Sequence, residues 1–325
     1  MMLSPLPAPT TRPASMRRCR PWARAAALLA LFVCLIAAVE TMAADPERAV
    51  APLELVWELD VGALGLDRPS ALAVDDHDRF YVVDGGNDRV LIVAPDGSLE
   101  RELGGYGWGE DRLAGPLDIA VDPGIASYVL DWGNRRVVEY DAEGDYLGVV
   151  LDEALLGEPM GLDFGSGGEL LVADADAQLV RVFSQFGEPL DPIGSFGGEA
   201  GGLVGPTRVA MGPGREVAVS DPLSSEVKLY DEFGSLLVTM TTGASFAPAA
   251  LVFDPLGRLA VADPVAGTVS LFDCSNGSLV AAVGRDALGP SAAPTGLAID
   301  RTGRLLVLAG PPERILAFAL EYDDR

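Results

Sequence analysis

Pro69, Pro116, Pro159, Pro206, Pro248 and Pro294 each open the same pattern of apolar stretches and turns, at spacings of 47, 43, 47, 42 and 46 residues. After each proline comes a short apolar run: SALAVD, LDIAVD, MGLDFG, TRVAMG, AALVFD and TGLAID. A turn follows, then a second run: FYVVD, YVLD, LLVAD, VAVSD, LAVAD and LLVLA. A third run ends in a glycine-containing turn in five units: Asp96-Gly97, Glu143-Gly144, Phe186-Gly187, Phe233-Gly234 and Asn276-Gly277. A fourth run leads to the next proline. The runs are too short and too punctuated for helices, and their Val, Leu, Ile and Phe content suits strands joined by hairpins.

A four-strand unit of this length, repeated six times, predicts an all-β, six-bladed β-propeller. A lone unit would expose both apolar faces, so the units must stack as a ring. The sixth has only three runs before the chain reaches Glu321–Arg325. An unassigned strand-like segment, Leu53 to Val61 (LELVWELDV), precedes the first proline. It is expected to close the ring as the outermost strand of blade six, which ties the two ends together. Residues 53–325 then form one domain, with 44–52 a short linker.

The pattern of Pro, an apolar-Ala-apolar-Asp strand, an apolar-Val-Ala-Asp strand and then Asn-x-Arg-Val resembles the NHL repeat. The fullest match is Asp131-Trp132-Gly133-Asn134-Arg135-Arg136-Val137, and blade one is similar at Asp84 to Val90. The glycine-rich connectors 104–115 and 194–205 also resemble that family's loops. Blades three to six lack the Asn-x-Arg, and blade six has Ala309-Gly310 where the others have Asp. The resemblance implies the fold and leaves the activity open.

The first residues read as a signal peptide, 1–43. Arg17, Arg18, Arg20 and Arg24 precede an unbroken apolar run from Ala25 to Val39, too short for a comfortable membrane span. Met16 is an alternative start, and cleavage is expected after Ala43 or Ala44. The product would be periplasmic or secreted, without stable membrane insertion. Removing residues 1–43 takes five arginines and Glu40 from a chain of net charge −25, leaving −29. Such a surface repels phosphate backbones, so no nucleic-acid partner is expected. Cys274 would be the only remaining cysteine, which excludes an internal disulfide. A monomer is expected.

Catalytic residue types are scarce. His77 is the single histidine and lies in the polar turn Asp75-Asp76-His77-Asp78. A histidine-rich zinc site and a Ser-His-Asp triad are therefore both disfavoured. Lactonase-like six-bladed propellers place Glu, Asn and Asp around calcium. Here the three asparagines beyond the leader, Asn87, Asn134 and Asn276, all fall in loops after the second or third strand. No cofactor is expected, and calcium would need a site of another composition. The recurring Asp84, Asp131, Asp174, Asp221 and Asp263 each end a second strand, where a carboxylate accepts backbone N–H groups of a turn. Arg89 and Arg136 are placed to pair with the first two. This series reads as structure rather than as a metal ring.

Two departures from the repeat point to function. Tyr106, Trp108, Trp132 and Phe196 lie on connections that should share one face, a candidate binding surface for a protein, peptide or glycan. On the innermost strands the positions two and four residues after each proline are small nearly everywhere, Val252 being the largest apolar residue, and Asp118, Asp163 and Arg208 break the pattern in consecutive blades. Charges near a ring axis are costly unless paired or wetted, so these three form a candidate channel site. Two functions follow: a non-enzymatic extracytoplasmic propeller that presents its loop face to a partner, or a channel-site lyase or hydrolase of the NHL or lactonase-like propeller type acting on a small molecule. The scarcity of catalytic types favours the first.

Overall fold

The computed structural model describes residues 51–107, 109–122, 124–196 and 201–321. The expected leader, 1–43, lies outside them. Among the described residues no helix is long and apolar enough to cross a membrane.

The repeat folds as six blades. Blade one holds Pro69–Val74, Phe80–Asp84, Arg89–Val93 and Leu99–Gly104. Blade two holds Pro116–Asp122, Ala126–Asp131, Arg136–Asp141 and Tyr146–Leu151. Blade four holds Arg208–Met211, Val217–Asp221, Glu226–Tyr230 and Leu236–Met240, and blade five Ala250–Phe253, Leu259–Asp263, Thr268–Asp273 and Ser278–Val283. Each is an antiparallel meander with its first strand innermost. The order puts the fourth-to-first and second-to-third connections at one end, the loop face, and the remaining hairpins at the other.

Blade six contributes Ala293–Ile299, Leu305–Gly310 and Arg314–Ala319. Its fourth strand is Glu54–Asp60, antiparallel to the third from Glu54 opposite Ala319 to Asp60 opposite Arg314. Ring closure by the N-terminal segment is thus as the sequence implies. Just before it, Ala51–Pro52 run parallel to Ala281 and Ala282, at the edge of blade five. The segment therefore also stitches blade five to blade six, a contact the repeat pattern gave no sign of.

Blade three departs from the four-strand rule. It has Pro159–Phe164, Leu170–Asp174 and Leu179–Phe183, but residues 189–193 form no regular strand beside the third: they meet it at the isolated bridges Phe183–Pro189 and Val180–Ile193 and through the Leu190 N–H to the Val182 carbonyl. Pro189 and Pro192 lack the N–H groups a regular ladder needs. Ser195–Phe196 then pair with Gly202–Leu203 in a separate parallel bridge.

The core is divided among the seams between blades. Phe80 and Val82 pack toward blade six, while Tyr81 and Val83 on the same strand pack toward blade two. Alternate residues feed opposite seams, which is why the second strands are apolar without interruption. Equivalent clusters fill the seams of blades two and three, three and four, four and five, and five and six. The innermost strands of blades six and one also meet, closing the ring. At Gly296 a Cβ would come within 2.6 Å of the Leu72 backbone nitrogen, so only glycine allows this approach.

Candidate functional site

The recurring carboxylates form a structural belt. Asp84 accepts from the Asp67 N–H at 2.7 Å, Asn87 at 2.8 Å and Arg89 Nε at 2.7 Å. Asp131 repeats the set with Ala114, Asn134 and Arg136. Asp174 holds the Gly157 and Glu158 N–H groups, Asp221 those of Val204 and Gly205, and Asp263 that of Ala247. Each carboxylate ties the end of the second strand to the loop that brings the chain into the same blade. Blades three and four lack the Asn-x-Arg, but Arg181 and Lys228 supply the cation from two residues farther along the third strand. That substitution keeps the side chain on the same face, and its spacing was readable once the faces were assigned. Burial works to raise the Asp174 and Asp221 carboxyls, yet these cations and the backbone donors outweigh it and hold both low.

The three unrepeated charges line one central cavity of about 250 Å³. They do not form a closed hydrogen-bonded trio. Asp118 is buried and accepts from the Leu162 N–H of blade three and its neighbour Ile119, both at 3.0 Å. Asp163 accepts from the Met211 N–H of blade four at 2.7 Å. Each thus satisfies an inner-edge donor of the next blade. Arg208 Nε lies 3.7 Å from Asp118 Oδ2, an ion pair without a hydrogen bond. Its Nη1 donates to the carbonyls of Met160 at 2.6 Å and Thr207 at 3.0 Å, and its Nη2 reaches the Ser70 carbonyl on the opposite blade at 3.5 Å. The guanidinium therefore spans the channel at its loop-face end.

Enclosure in this cavity sets the titration of both acids. Burial pushes the Asp118 carboxyl up, against the pull of Arg208 and of the two backbone donors. Asp163 is half-buried and lines the same cavity. Burial drives its carboxyl up to about 7, against the Met211 and Phe164 N–H groups and with added repulsion from Asp118. Asp163 is therefore a half-buried acid whose enclosure raises its carboxyl to about 7.

The other candidates are dispersed. Tyr106 is 75% exposed and Trp132 44% exposed, both on the loop face. Trp108 and the Phe196 side chain lie outside what is described. Leu223 and Val265, which the sequence reading passed over, are 75% and 69% exposed on second-to-third turns of the same face. His77 sits at the opposite end, exposed, with Nδ1 2.7 Å from Asp76. Asp75 beside it is engaged by the N–H groups of His77 and Arg79 and by Arg79 Nε. Asp254–Arg258 and Asp300–Arg304 repeat this hairpin clamp, so the acidic turn is architecture. Cys274 is half-buried against the seam of blades four and five, and burial raises its thiol to about 12, far from a thiolate nucleophile.

No family model and no curated protein matches the chain. Solved structures do. A streptogramin B lyase superposes with a TM-score of 0.59 at 10% identity, over 83% of this chain and 97% of its own. A selenomethionine-substituted virginiamycin B lyase from Staphylococcus aureus gives 0.58 at 11%, over 83% and 100%. A catalytically inactive histidine-to-alanine variant of the S. aureus lyase with quinupristin gives 0.55 at 11%, over 83% and 90%. At these identities the likeness is one of fold: six blades around a channel.

Proposed function

We propose that this chain is an extracytoplasmic, non-enzymatic propeller whose loop face holds a polypeptide partner. The observation that carries this reading is the set of large apolar side chains left in solvent there, Tyr106, Trp132, Leu223 and Val265, on three blades around the channel mouth. Aromatic anchors beside aliphatic ones suit the side chains of a protein or peptide better than a glycan, which stacks on aromatic plates alone. The opposite face exposes Phe186, Phe233, Ile125 and Leu256 on hairpin tips, but no tyrosine or tryptophan among the described residues. The acidic surface supports a partner other than nucleic acid.

A second reading, a channel lyase or hydrolase, draws on the solved neighbours and on Asp163, whose carboxyl near 7 suits proton transfer. Against it, one neighbour is described as inactive on loss of a histidine, and the single histidine here lies on the far face. A photocrosslinking residue in place of Trp132, in the cells that make the protein, should trap a polypeptide. The same residue in place of Phe233 should not. Adducts only from position 233, or none from either, would remove the reading. Intact-mass analysis should find the chain outside the cytoplasm, shortened after Ala43 or Ala44.

A further inference from the structure

The residue following each blade-opening proline stands at the loop-face rim of the channel. In blades one and six this residue, Ser70 or Thr295, is bulged out of the strand ladder. In blade four the equivalent Thr207 bonds its hydroxyl to Ser220 at 2.9 Å. Ser220 faces Arg208, and its counterparts in blades one and six are Val83 and Leu308, which carry no polar group. The Ser70 and Thr295 hydroxyl oxygens are consequently buried without any hydrogen-bond partner. A buried hydroxyl left unpaired is destabilising, so two of them on one rim need an explanation.

Both residues line a pocket of about 430 Å³ at the channel mouth, together with Arg208 and Arg68. Arg208 has capacity to spare there. Nη1 is occupied by two carbonyls, whereas the best partner of Nη2 is a carbonyl at 3.5 Å, beyond the normal range for a good bond. A guanidinium edge in a pocket whose lining also carries two hydroxyl side chains matches a planar monoanion. A dianion is disfavoured, because Asp118 already offsets the arginine and Glu313 lines the same pocket. The remaining wall includes Ala249, Ala293 and Pro311, which suits an apolar group next to the anion.

We propose that this mouth binds a free carboxylate carried on a small apolar group, as at the C-terminus of a peptide, with Arg208 Nη2, Ser70 and Thr295 as its donors. The hydroxyls turn to the ligand by rotation about Cα–Cβ. The assignment rests on the loop-face reading and specifies which part of a polypeptide partner enters the channel. The test uses a mixed-sequence library of N-acetyl tripeptides, made once as free acids and once as C-terminal amides. The purified protein should retain the acids at least tenfold over the amides, as counted by mass spectrometry after gel filtration. Arg208→Ala risks unfolding, so the diagnostic variant is Ser70→Ala/Thr295→Val. It should lose at least tenfold in acid retention while its melting temperature holds or rises. Equal retention of acids and amides, retention of neither, or retention unmoved by the variant would overturn the carboxylate site. Amides and acids retained alike but lost in Tyr106→Ala/Trp132→Ala would end this inference and leave the loop-face reading standing, as would a Trp132 crosslink without peptide retention.

Discussion

The belt of Asp84, Asp131, Asp174, Asp221 and Asp263 and the mouth group of Asp118, Asp163 and Arg208 are both charged and enclosed, yet they are built on opposite plans. Each belt carboxylate is served within its own blade, by the incoming loop and, in four of the five blades, by a cation from the third strand. The mouth group reaches between blades and occurs once. Its ion pair is long at 3.7 Å, and two hydroxyl side chains in the lining of the same mouth stand unpaired. In a ring of repeats, chemistry that every blade needs recurs, and a charged group that occurs once stands out from it.

The largest effect should come from the belt. Asp131→Ala removes the one acceptor of the Ala114 N–H and the carboxylate partner of Arg136 and Asn134, which keep only backbone carbonyls, and should cost about 3–5 kcal/mol in urea unfolding. A loss under about 1 kcal/mol, the scale of a surface ion pair, would erase the distinction between the two regions.

Arg208→Ala comes next, at about 1–3 kcal/mol, because Asp118 keeps two backbone donors when the guanidinium goes. A loss as large as that of Asp131→Ala would make the mouth a belt element.

A smaller, pH-dependent effect should separate the regions further. The Asp163 carboxyl is raised in the folded state to about 7, above an unfolded value of about 4. The folded chain therefore holds the proton more tightly, and this group's favourable contribution is complete below about pH 4 and lost as pH rises to about 7. Asp118 is shifted in the same direction. Asp174 and Asp221 are lowered, so their stabilisation is present above the unfolded value and is lost on acidification below it. Asp163→Asn should flatten the stability profile between about pH 4 and 7 and be at least as stable as the parent above that window. An unchanged slope would show that Asp163 titrates as an exposed acid.

The fold was legible because its signals are repeated: the prolines, the apolar runs and the turn carboxylates recur, and the closing strand followed from the missing run in blade six. Irregularity was harder to read. The extra pairing of Ala51–Pro52 has no counterpart in any other blade, and the frayed edge of blade three depends on Pro189 and Pro192 lying where a strand was anticipated. At the site, the sequence singled out Asp118, Asp163 and Arg208 as exceptions, because small residues stand at the equivalent positions. It could not place Arg208 across the channel, since the carbonyls it reaches belong to three different blades. Ser70 and Thr295 were invisible as well: their significance lies in what faces them, Val83 and Leu308 in place of a serine.

The central claim, that the mouth group is dispensable to the ring, is tested most directly by urea unfolding of Arg208→Ala beside the triple variant Asp118→Ala/Asp163→Ala/Arg208→Ala. Removing all three charges gives blades two, three and four the small side chains of their neighbours, and the channel has room for water at the freed Leu162 and Met211 N–H groups. The account predicts a triple variant within about 1 kcal/mol of the parent and more stable than the single one, the non-additivity expected of coupled charges. A triple variant no more stable than Arg208→Ala alone would contradict it.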